Sequence, residues 1–193
     1  MSEHILPSIL AENRAPTLRQ PANSHASGLL ELRPLLPEQW EIHKRLRLAA
    51  LADAPYAFTT QLADVAARPD AEWAAITTQR AGDPHGVTYF AFWENEPCAM
   101  AACVLTELGA EMLAVWVAPT HRQQGVGHAL VDYARTWALD HGADALVVGV
   151  YADNQVAVAF YARAGFQQTG VERFAGQTSQ RPILMMAMAL AAS

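Results

Sequence analysis

The chain has 193 residues, of which 52% are hydrophobic and 17% charged, which is enough for one domain with a sizeable core. Thirteen basic and 19 acidic residues give a net charge of −6 without a basic cluster in the sequence, which argues against nucleic acid as the main partner because phosphate binding needs local Lys and Arg. The negative charge is compatible with a cationic acceptor, and equally with solubility alone.

The chain begins with residues 1–28, which mix Pro, Asn, Ser, Arg and Gln without hydrophobic periodicity. This composition cannot bury enough apolar surface to offset the entropy of ordering, so it predicts a flexible tail before a single domain over residues 29–193. The tail lacks the apolar run of a signal peptide, and no segment of the chain has 18 uninterrupted apolar residues. We therefore expect a cytoplasmic protein without a membrane segment.

The first part of the domain predicts one strand and two helices. Residues 29–35 form a short strand, and Pro37 then opens a helix at a position where its missing N–H is harmless. An apolar stripe at helical spacing runs along that helix until residues 53–60 interrupt it. A second helix is predicted from about Asp70 through Ile76.

A β-meander follows the two helices. Residues 86–93 are aromatic and β-branched, residues 98–105 return after a turn, and residues 111–117 make a third strand. Cys98 and Cys103 lie five residues apart in the middle strand, so simple alternation predicts that they face opposite sides and form no disulfide. Such cysteines are typical of core thiols in a reduced compartment.

The last part of the domain alternates helices with strands. Apolar residues recur at helical spacing after the meander, and Gly142 ends that helix. Residues 145–150 are a short apolar strand of the kind buried in parallel sheets. Asp153 or Asn154 caps the final helix, which two strands follow. The order β-α-α-β-β-β-α-β-α-β-β predicts a mixed α/β single domain.

Residues 121–131, with the sequence HRQQGVGHALV, place two glycines one residue apart at the start of a helix. Glycine lets a ligand approach the first-turn amides, which lack internal partners and carry the positive end of the helix dipole. This arrangement is typical of an anion-binding loop. A Walker loop would need Lys and then Ser or Thr where His128 and Ala129 stand, and a dinucleotide fingerprint would need a third glycine in a βαβ unit.

Two motifs resemble those of the GNAT superfamily of N-acetyltransferases. Residues 122–127, Arg-Gln-Gln-Gly-Val-Gly, are similar to its Arg/Gln-x-x-Gly-x-Gly/Ala motif, and residues 115–122 resemble the strand and loop that lead into it. Residues 154–166, NQVAVAFYARAGF, resemble the second conserved region of that family. The resemblance covers residues 29–190 and implies the GNAT fold, a mixed, mostly antiparallel central sheet with helices on both faces.

The resemblance implies acetyl-CoA as a cosubstrate and no metal, and none of the seven histidines falls in a metal-binding arrangement. Loop amides of residues 123–128 would hold the pyrophosphate, and the strand end at residues 115–117 would pair with the pantetheine arm by strand addition. Tight helix–sheet packing is the alternative explanation of the two glycines. The residues expected to contact the cofactor are Val115, Trp116, Val117, Arg122, Gln123, Gln124, Gly125, Val126, Gly127, His128 and Asn154.

Acetyl transfer from a thioester to an amine needs a base for the amine (pKa about 10), a donor for the oxyanion and a proton for the thiolate (pKa about 8.5). By resemblance Tyr161 is the general acid beside the sulfur, and simple core packing is its alternative role. Glu111 matches the general base of some family members, and a solvated carboxylate at a turn is its alternative role. Alternation places Glu111 on the face of Leu113 and Val115, unless the strand carries the bulge that is frequent in the family.

The resemblance places the acceptor pocket between the interruption after the first helix, residues 53–60, and the loop before the last strand, residues 171–180. Its expected walls, which could equally be ordinary loop packing, are Tyr56, Phe58, Glu172 and Phe174. The expected acceptor is a primary amine of a small molecule or peptide, and the expected assembly is a monomer or homodimer. We therefore predict an acetyl-CoA-dependent N-acetyltransferase that works by direct transfer, since neither cysteine lies in a motif. The alternative is a coenzyme A-binding sensor or regulatory module without turnover.

Overall fold

The computed structural model describes residues 30–174 and 181–190, and for residues 171–174 it describes the backbone only. The tail predicted for residues 1–28 lies outside the described residues. Within the described ranges the strands are β1 Leu30–Pro34, β2 Gly86–Trp93, β3 Glu96–Thr106, β4 Gly109–Val117, β5 Ala145–Tyr151, β6 Gln167–Phe174 and β7 Pro182–Ala189. The α-helices are α1 Trp40–Asp53, α2 Leu62–Ala66, α3 Asp70–Ala81, α4 Val126–Asp140 and α5 Gln155–Arg163.

The order of the long elements confirms the sequence prediction, and the differences are local. Pro37 opens a single 3₁₀ turn, Pro37–Gln39, and the α-helix starts only at Trp40. Helix α2 has five residues, too few to show helical periodicity, and it was not predicted. The segment expected to be a loop from residue 171 onward is strand as far as Phe174.

The sheet has the strand order β1-β2-β3-β4-β5-β7-β6, and every neighbouring pair is antiparallel except β4 and β5. The parallel pair is joined over three residue pairs, which are Ala110–Leu146, Glu111–Val147 and Met112–Val148. Both strands continue beyond these pairs, to Val117 and Tyr151, without pairing to each other. They therefore diverge and open a gap in the middle of the sheet.

A β-bulge lies in β4 just after the paired segment. Met100 pairs with Trp116 and Ala102 with Leu113, so Ala114 and Val115 together oppose a single residue of β3. Ala114 has a φ of 52°, in the left-handed region that residues other than glycine rarely adopt. The extra residue shifts the alternation, so Val115 packs into the core on the α4 side while Trp116 packs into the core on the α1 side. Simple alternation, which puts Glu111 and Val115 on one face, is therefore wrong here, and the bulge that the family resemblance allowed for is present.

A second bulge corrects the prediction for the cysteines. Ala91 pairs with Ala99 and Phe92 with Pro97, which leaves Cys98 as the extra residue of β3. The bulge reverses the alternation between Cys98 and Cys103, and both side chains are buried in the same core cluster rather than on opposite faces. Both are free thiols.

Helices cover both faces of the sheet, which confirms the predicted fold class. On one face α4 and α5 bury residues such as Leu130 and Tyr161 against β2–β5, and full burial of one such leucine contributes about 1.5–3 kcal/mol. On the other face α1 buries Leu46 and Ala50 against Phe90. No helix in residues 30–174 or 181–190 has the length and apolar character that crossing a bilayer requires.

Candidate active site

A cleft of about 370 Å³ opens where β4 and β5 diverge, and this volume lies in the range of small-molecule sites. Its walls come from β4, β5 and α5 on one side and from α1, α3 and residues 57–59 on the other. Five residues predicted from the sequence as site residues line this one cleft: Phe58, Glu111, Val115, Asn154 and Tyr161. The two proposed proton-transfer groups therefore share a cavity.

Tyr161 lies in α5 with 5% of its surface exposed. Its ring packs edge-on against Phe160 and Phe166, with ring centroids 5.0 and 5.3 Å away, which fixes its orientation. Burial raises the pKa of the Tyr161 hydroxyl above its ordinary value of 10, so this group stays protonated at neutral pH. Tyr161 belongs to the buried core cluster and also lines the cleft, and no described group hydrogen-bonds its hydroxyl.

Glu111 lies in the short paired segment of β4, opposite Val147 of β5, with 9% of its surface exposed. Gly149 keeps space open beside it, because a Cβ on Gly149 would lie 2.9 Å from Ile183 Cγ2 and 4.0 Å from Glu111 Oε1. Burial raises the pKa of the nearby Cys103 thiol to about 12, and the charge of Glu111 adds to this effect. Cys103 is therefore a thiol at neutral pH and a poor nucleophile.

The loop after β4 leads to the N-terminus of α4 through two left-handed residues, Gln123 with φ 61° and Gly125 with φ 85°. No side chain caps this helix and no acidic residue lies in its first turn, so the first-turn amides are available to an anion. A Cβ added to Gly125 would meet nothing within 4 Å, so the cradle is open on that side. At Gly127 a Cβ would lie 3.1 Å from the Phe160 ring, so this glycine also permits close packing of α4 on α5.

Arg122 fastens the loop to two other elements. Its guanidinium forms an ion pair with Asp53 at the end of α1, and its Nε donates a hydrogen bond of 3.0 Å to the Val117 carbonyl. Trp116 Nε1 donates to the same Asp53 carboxylate at 2.9 Å. Burial alone would raise the pKa of Asp53, but these hydrogen bonds and the charge of Arg122 lower it. Arg122 and Trp116, both predicted to contact the cofactor, therefore hold the loop in place with their side chains.

Several other predicted cofactor residues have defined partners within the chain. Gln124 Nε2 donates to the Thr120 carbonyl at 2.9 Å, and the His128 ring meets Phe160 edge-on at 5.2 Å. The Asn154 side chain accepts a hydrogen bond of 3.2 Å from the Ala157 amide, which makes it the N-cap of α5. The sequence left Asp153 and Asn154 open as caps, and Asp153 is ion-paired with Arg181 instead.

The predicted acceptor walls fall in different places. Phe58 lines the cleft, whereas Tyr56 is 56% exposed outside it, and its carbonyl accepts a hydrogen bond of 3.0 Å from Arg181. Glu172 and Phe174 lie in the outer strand β6, opposite Leu184 and Pro182 of β7, and their side chains lie outside the described part of the chain.

Sequence reasoning missed the three basic residues of the cleft lining, His43, Arg47 and Arg80. His43 is a buried position of α1 and the half-buried Arg47 stands four residues after it, and that spacing on one side of the helix was the signal that could have found them.

His43 is 4% exposed, and its Nδ1 lies 2.9 Å from Thr77 Oγ1. Burial, with the charges of Arg80 and Arg47, lowers its pKa to about 4, so the ring is neutral at neutral pH. Thr77 donates its hydroxyl hydrogen to the Trp73 carbonyl at 2.7 Å, so Thr77 must accept from the His43 Nδ1–H. The Nε2 atom of His43 therefore keeps its lone pair.

Among the residues that the structure describes, no group of three or more His, Cys, Asp or Glu side chains could hold a metal ion.

Comparison with known proteins gives one family and several relatives. Residues 45–166 match the model of the acetyltransferase (GNAT) family. The chain is 34% identical over 62 residues to a streptothricin acetyltransferase of Escherichia coli, a match that covers 32% of this chain and only about a third (36%) of that enzyme.

Solved structures give the same picture. A nourseothricin acetyltransferase is 27% identical, with a TM-score of 0.51 over 56% of this chain and 68% of its own. The spermidine N-acetyltransferase of Vibrio cholerae, solved with CoA and spermine, has a TM-score of 0.68 over 83% of this chain and 95% of its own, and at 16% identity it shows likeness of fold. With its splayed β4 and β5, its bulged β4 and the family model matched over residues 45–166, the chain belongs to the GNAT family of acetyltransferases.

Proposed function

We propose that this protein transfers the acetyl group of acetyl-CoA directly to a primary amine of a small molecule or peptide. The observation that carries the proposal is the shared cleft, which joins the buried Tyr161 hydroxyl and the Glu111 carboxylate at the splay of the sheet. Strand β4 ends at Val117, and the chain then leads to residues 122–127 before and at the start of α4. These residues, which include Gly125 with open space beside it, form the glycine loop. A site for chemistry and a site for a phosphate group are therefore contiguous.

The residues present fit the cosubstrate. We propose that the amides of residues 123–128 hold the pyrophosphate, since the helix start is uncapped and the space at Gly125 is open. The pantetheine arm would add to the edge of β4 at residues 115–117, which no described strand occupies on the side that faces β5. Arg122 then acts by positioning the loop rather than by direct contact.

The chain's own groups can supply the proton transfers. Acetyl-CoA provides the thioester, the new N–C bond forms as the C–S bond breaks, and the amine proton passes to Glu111, directly or through a water molecule. Tyr161 donates its proton to the departing thiolate and regains one from solvent. Backbone N–H groups at the bulge of Ala114 and Val115 are our candidates to stabilise the charge on the carbonyl oxygen, since the β3 ladder is interrupted there.

A covalent acyl-enzyme is not part of this proposal. Cys98 and Cys103 are buried in the core on the α4 side, and burial raises the pKa of both thiols. A nucleophilic cysteine would instead need partial exposure and a lowered pKa. Direct transfer to the amine is the route that remains consistent with these two side chains.

The test is incubation of the protein and acetyl-CoA with a panel of amines, read by mass spectrometry. The panel includes streptothricin, because the Escherichia coli relative acts on it by name, and amino acids, polyamines and peptides. We expect an N-acetylated product with at least one class. Tight acetyl-CoA binding without any acetylated product would contradict the enzyme proposal and favour a coenzyme A-binding sensor.

A further inference from the structure

Two arginines line the same cleft as Tyr161. Arg47 projects from α1 and Arg80 from the last turn of α3, and both line the same cavity as Glu111. Arg47 is half-buried, and its Cζ lies 4.8 Å from the centre of the Phe58 ring. Its Nη1 is shielded from solvent and has no hydrogen-bond partner. Neither arginine forms an ion pair with a described residue.

A partly buried guanidinium without a counter-ion is unfavourable, because desolvation is not offset by an opposite charge. The pKa of Arg47 is lowered, first by burial and then by the positive charges of Arg80 and Arg68. Arg68 has its own partner in Glu72, at 3.2 Å, and His43 beside Arg47 is neutral. Arg47 and Arg80 therefore place positive charge in the cleft, and although Glu111 lines the same cavity, no described carboxylate forms an ion pair with either arginine.

We propose that the acceptor is an amine that also carries a carboxylate, and that Arg47 binds this carboxylate with help from Arg80 at the rim. The inference rests on the proposed function, since it names the acceptor class of the same site. A planar guanidinium matches a carboxylate by two parallel hydrogen bonds, and the unpartnered Nη1 of Arg47 would gain the bond that it lacks. The amine end would then lie toward Glu111 and Tyr161.

The net charge of −6 would favour a cationic acceptor, but the charges of Arg47 and Arg80 in the cleft have the larger effect on what binds there. Charges further away than about 8–10 Å are largely screened at physiological ionic strength, whereas a partly buried group inside the cleft is not. A polyamine placed in this cavity would meet Arg47 and Arg80 with like charge. An amino acid or a related carboxylated amine meets them with opposite charge.

The experiment compares matched acceptors on the full chain with saturating acetyl-CoA. Each pair consists of an amino acid and its carboxamide, such as phenylalanine and phenylalaninamide or lysine and lysinamide, so that the members differ in the carboxylate and hardly in shape. Spermidine is the polycationic comparison. We expect kcat/KM for the acid to exceed that for the amide by about 10- to 100-fold, the range of one charge-assisted hydrogen-bond pair.

Substitutions of Arg47 test whether this side chain causes the preference for the amino acid over its carboxamide. Arg47→Met keeps the length of the side chain and removes its charge, so the acid-to-amide ratio should fall to near one, while Arg47→Lys should retain part of it. Arg33→Met is the matched control, because Arg33 also stacks on an aromatic ring, Phe92 at 4.6 Å, but lies outside the cleft. It should leave the ratio unchanged.

Three outcomes would overturn the inference: equal kcat/KM within the pairs, a preference for amides or spermidine, and an acid preference that survives Arg47→Met. If no amine is acetylated at all, the proposed function fails, and calorimetry of the same pairs on the protein–CoA complex then decides the inference separately. Arg47-dependent binding of the acid would support it, and equal binding of acid and amide would contradict it.

Discussion

The carboxylate of Asp53, the last residue of α1, forms an ion pair with Arg122 in the loop before α4, a residue 69 positions later in the chain. The same carboxylate accepts a hydrogen bond from Trp116 in β4. Helix α1, strand β4 and the loop before α4 therefore meet at one carboxylate. The glycine loop is held by this contact as well as by its own backbone geometry.

We expect Asp53→Asn to weaken acetyl-CoA binding without abolishing it. The ion pair is partly exposed, so its loss should change the dissociation constant by about 2- to 5-fold. Isothermal calorimetry measures this change. Lys44→Gln is the control, because it breaks another exposed ion pair, Lys44–Asp70, away from the loop, and it should bind acetyl-CoA as the wild type does. Equal affinities of both variants would mean that Arg122 does not position the loop.

The proposed phosphate site at Gly125 can be tested by comparing the same substitution at two glycines that both have a positive φ. We expect Gly125→Asp to eliminate acetyl-CoA binding, because its carboxylate would fill the open space and repel a phosphate. Gly142→Asp, at the other end of α4, is the control: its φ is 74° and its surroundings are equally open. Calorimetry should show normal affinity for the control. Unchanged affinity in both variants would remove the phosphate site from this loop.

Tyr161→Phe should separate catalysis from binding. The ring stays in its packing between Phe160 and Phe166, so affinity for acetyl-CoA should hardly change, while loss of the donated proton should lower kcat by about 10²–10⁴-fold. Tyr133→Phe is the control, since Tyr133 is a partly buried tyrosine that stacks on Tyr89 and lies outside the cleft. A wild-type kcat in Tyr161→Phe would show that another group protonates the thiolate.

Glu111→Gln should impair removal of the proton from the acceptor amine. If Glu111 takes the amine proton, the variant loses the acidic limb of its pH–rate profile, and kcat/KM falls by about 100-fold or more. Glu107→Gln, an exposed carboxylate in the turn before β4, should leave the profile as it is. The measurement is kcat/KM against pH with one acceptor. An unchanged acidic limb in Glu111→Gln would exclude Glu111 as the base.

The burial of His43 predicts how the free energy of unfolding depends on pH. The pKa of His43 is about 4 in the folded protein and near 6.5 when unfolded, so between these values the unfolded chain binds more protons and stability falls as pH falls. This group should contribute a loss of about 2 kcal/mol between pH 7 and pH 5. Urea unfolding at the two pH values measures it. His43→Gln should reduce the loss, the exposed His85→Gln should not, and equal slopes in all three proteins would contradict the burial argument.

The local features of the fold could be predicted from the sequence. Long helices and strands show their own periodicity, and the two motifs at residues 122–127 and 154–166 identify the family because their spacing is local. The bulge at Cys98 could not be predicted, because a bulge depends on the register of the neighbouring strand, and the bulge at Ala114 was allowed for only through the family resemblance. Each bulge reversed an assignment of faces that simple alternation had given.

The candidate site divides in the same way. Tyr161 and Glu111 were predicted through resemblance, and the structure brings them to one cleft. Arg47 and Arg80 lie 33 residues apart in sequence, on two different helices, and no local pattern predicts that both line one cleft. Asn154 matched a motif, yet its visible task is to cap α5. The motifs therefore led to residues that line the cleft, while the arginines that line it with them depend on how the helices pack.

The sheet is continuous across its middle through three residue pairs of β4 and β5. Its two halves, β1–β4 and β5–β7, are thus joined along about one nanometre of strand, at roughly 3.3 Å per residue. A cosubstrate arm that hydrogen-bonds along residues 115–117 would lengthen this junction and add a further connection between the two halves of the sheet. Coenzyme A would then be a structural part of the domain as well as a reactant, and hydrogen exchange at these amides would slow in its presence.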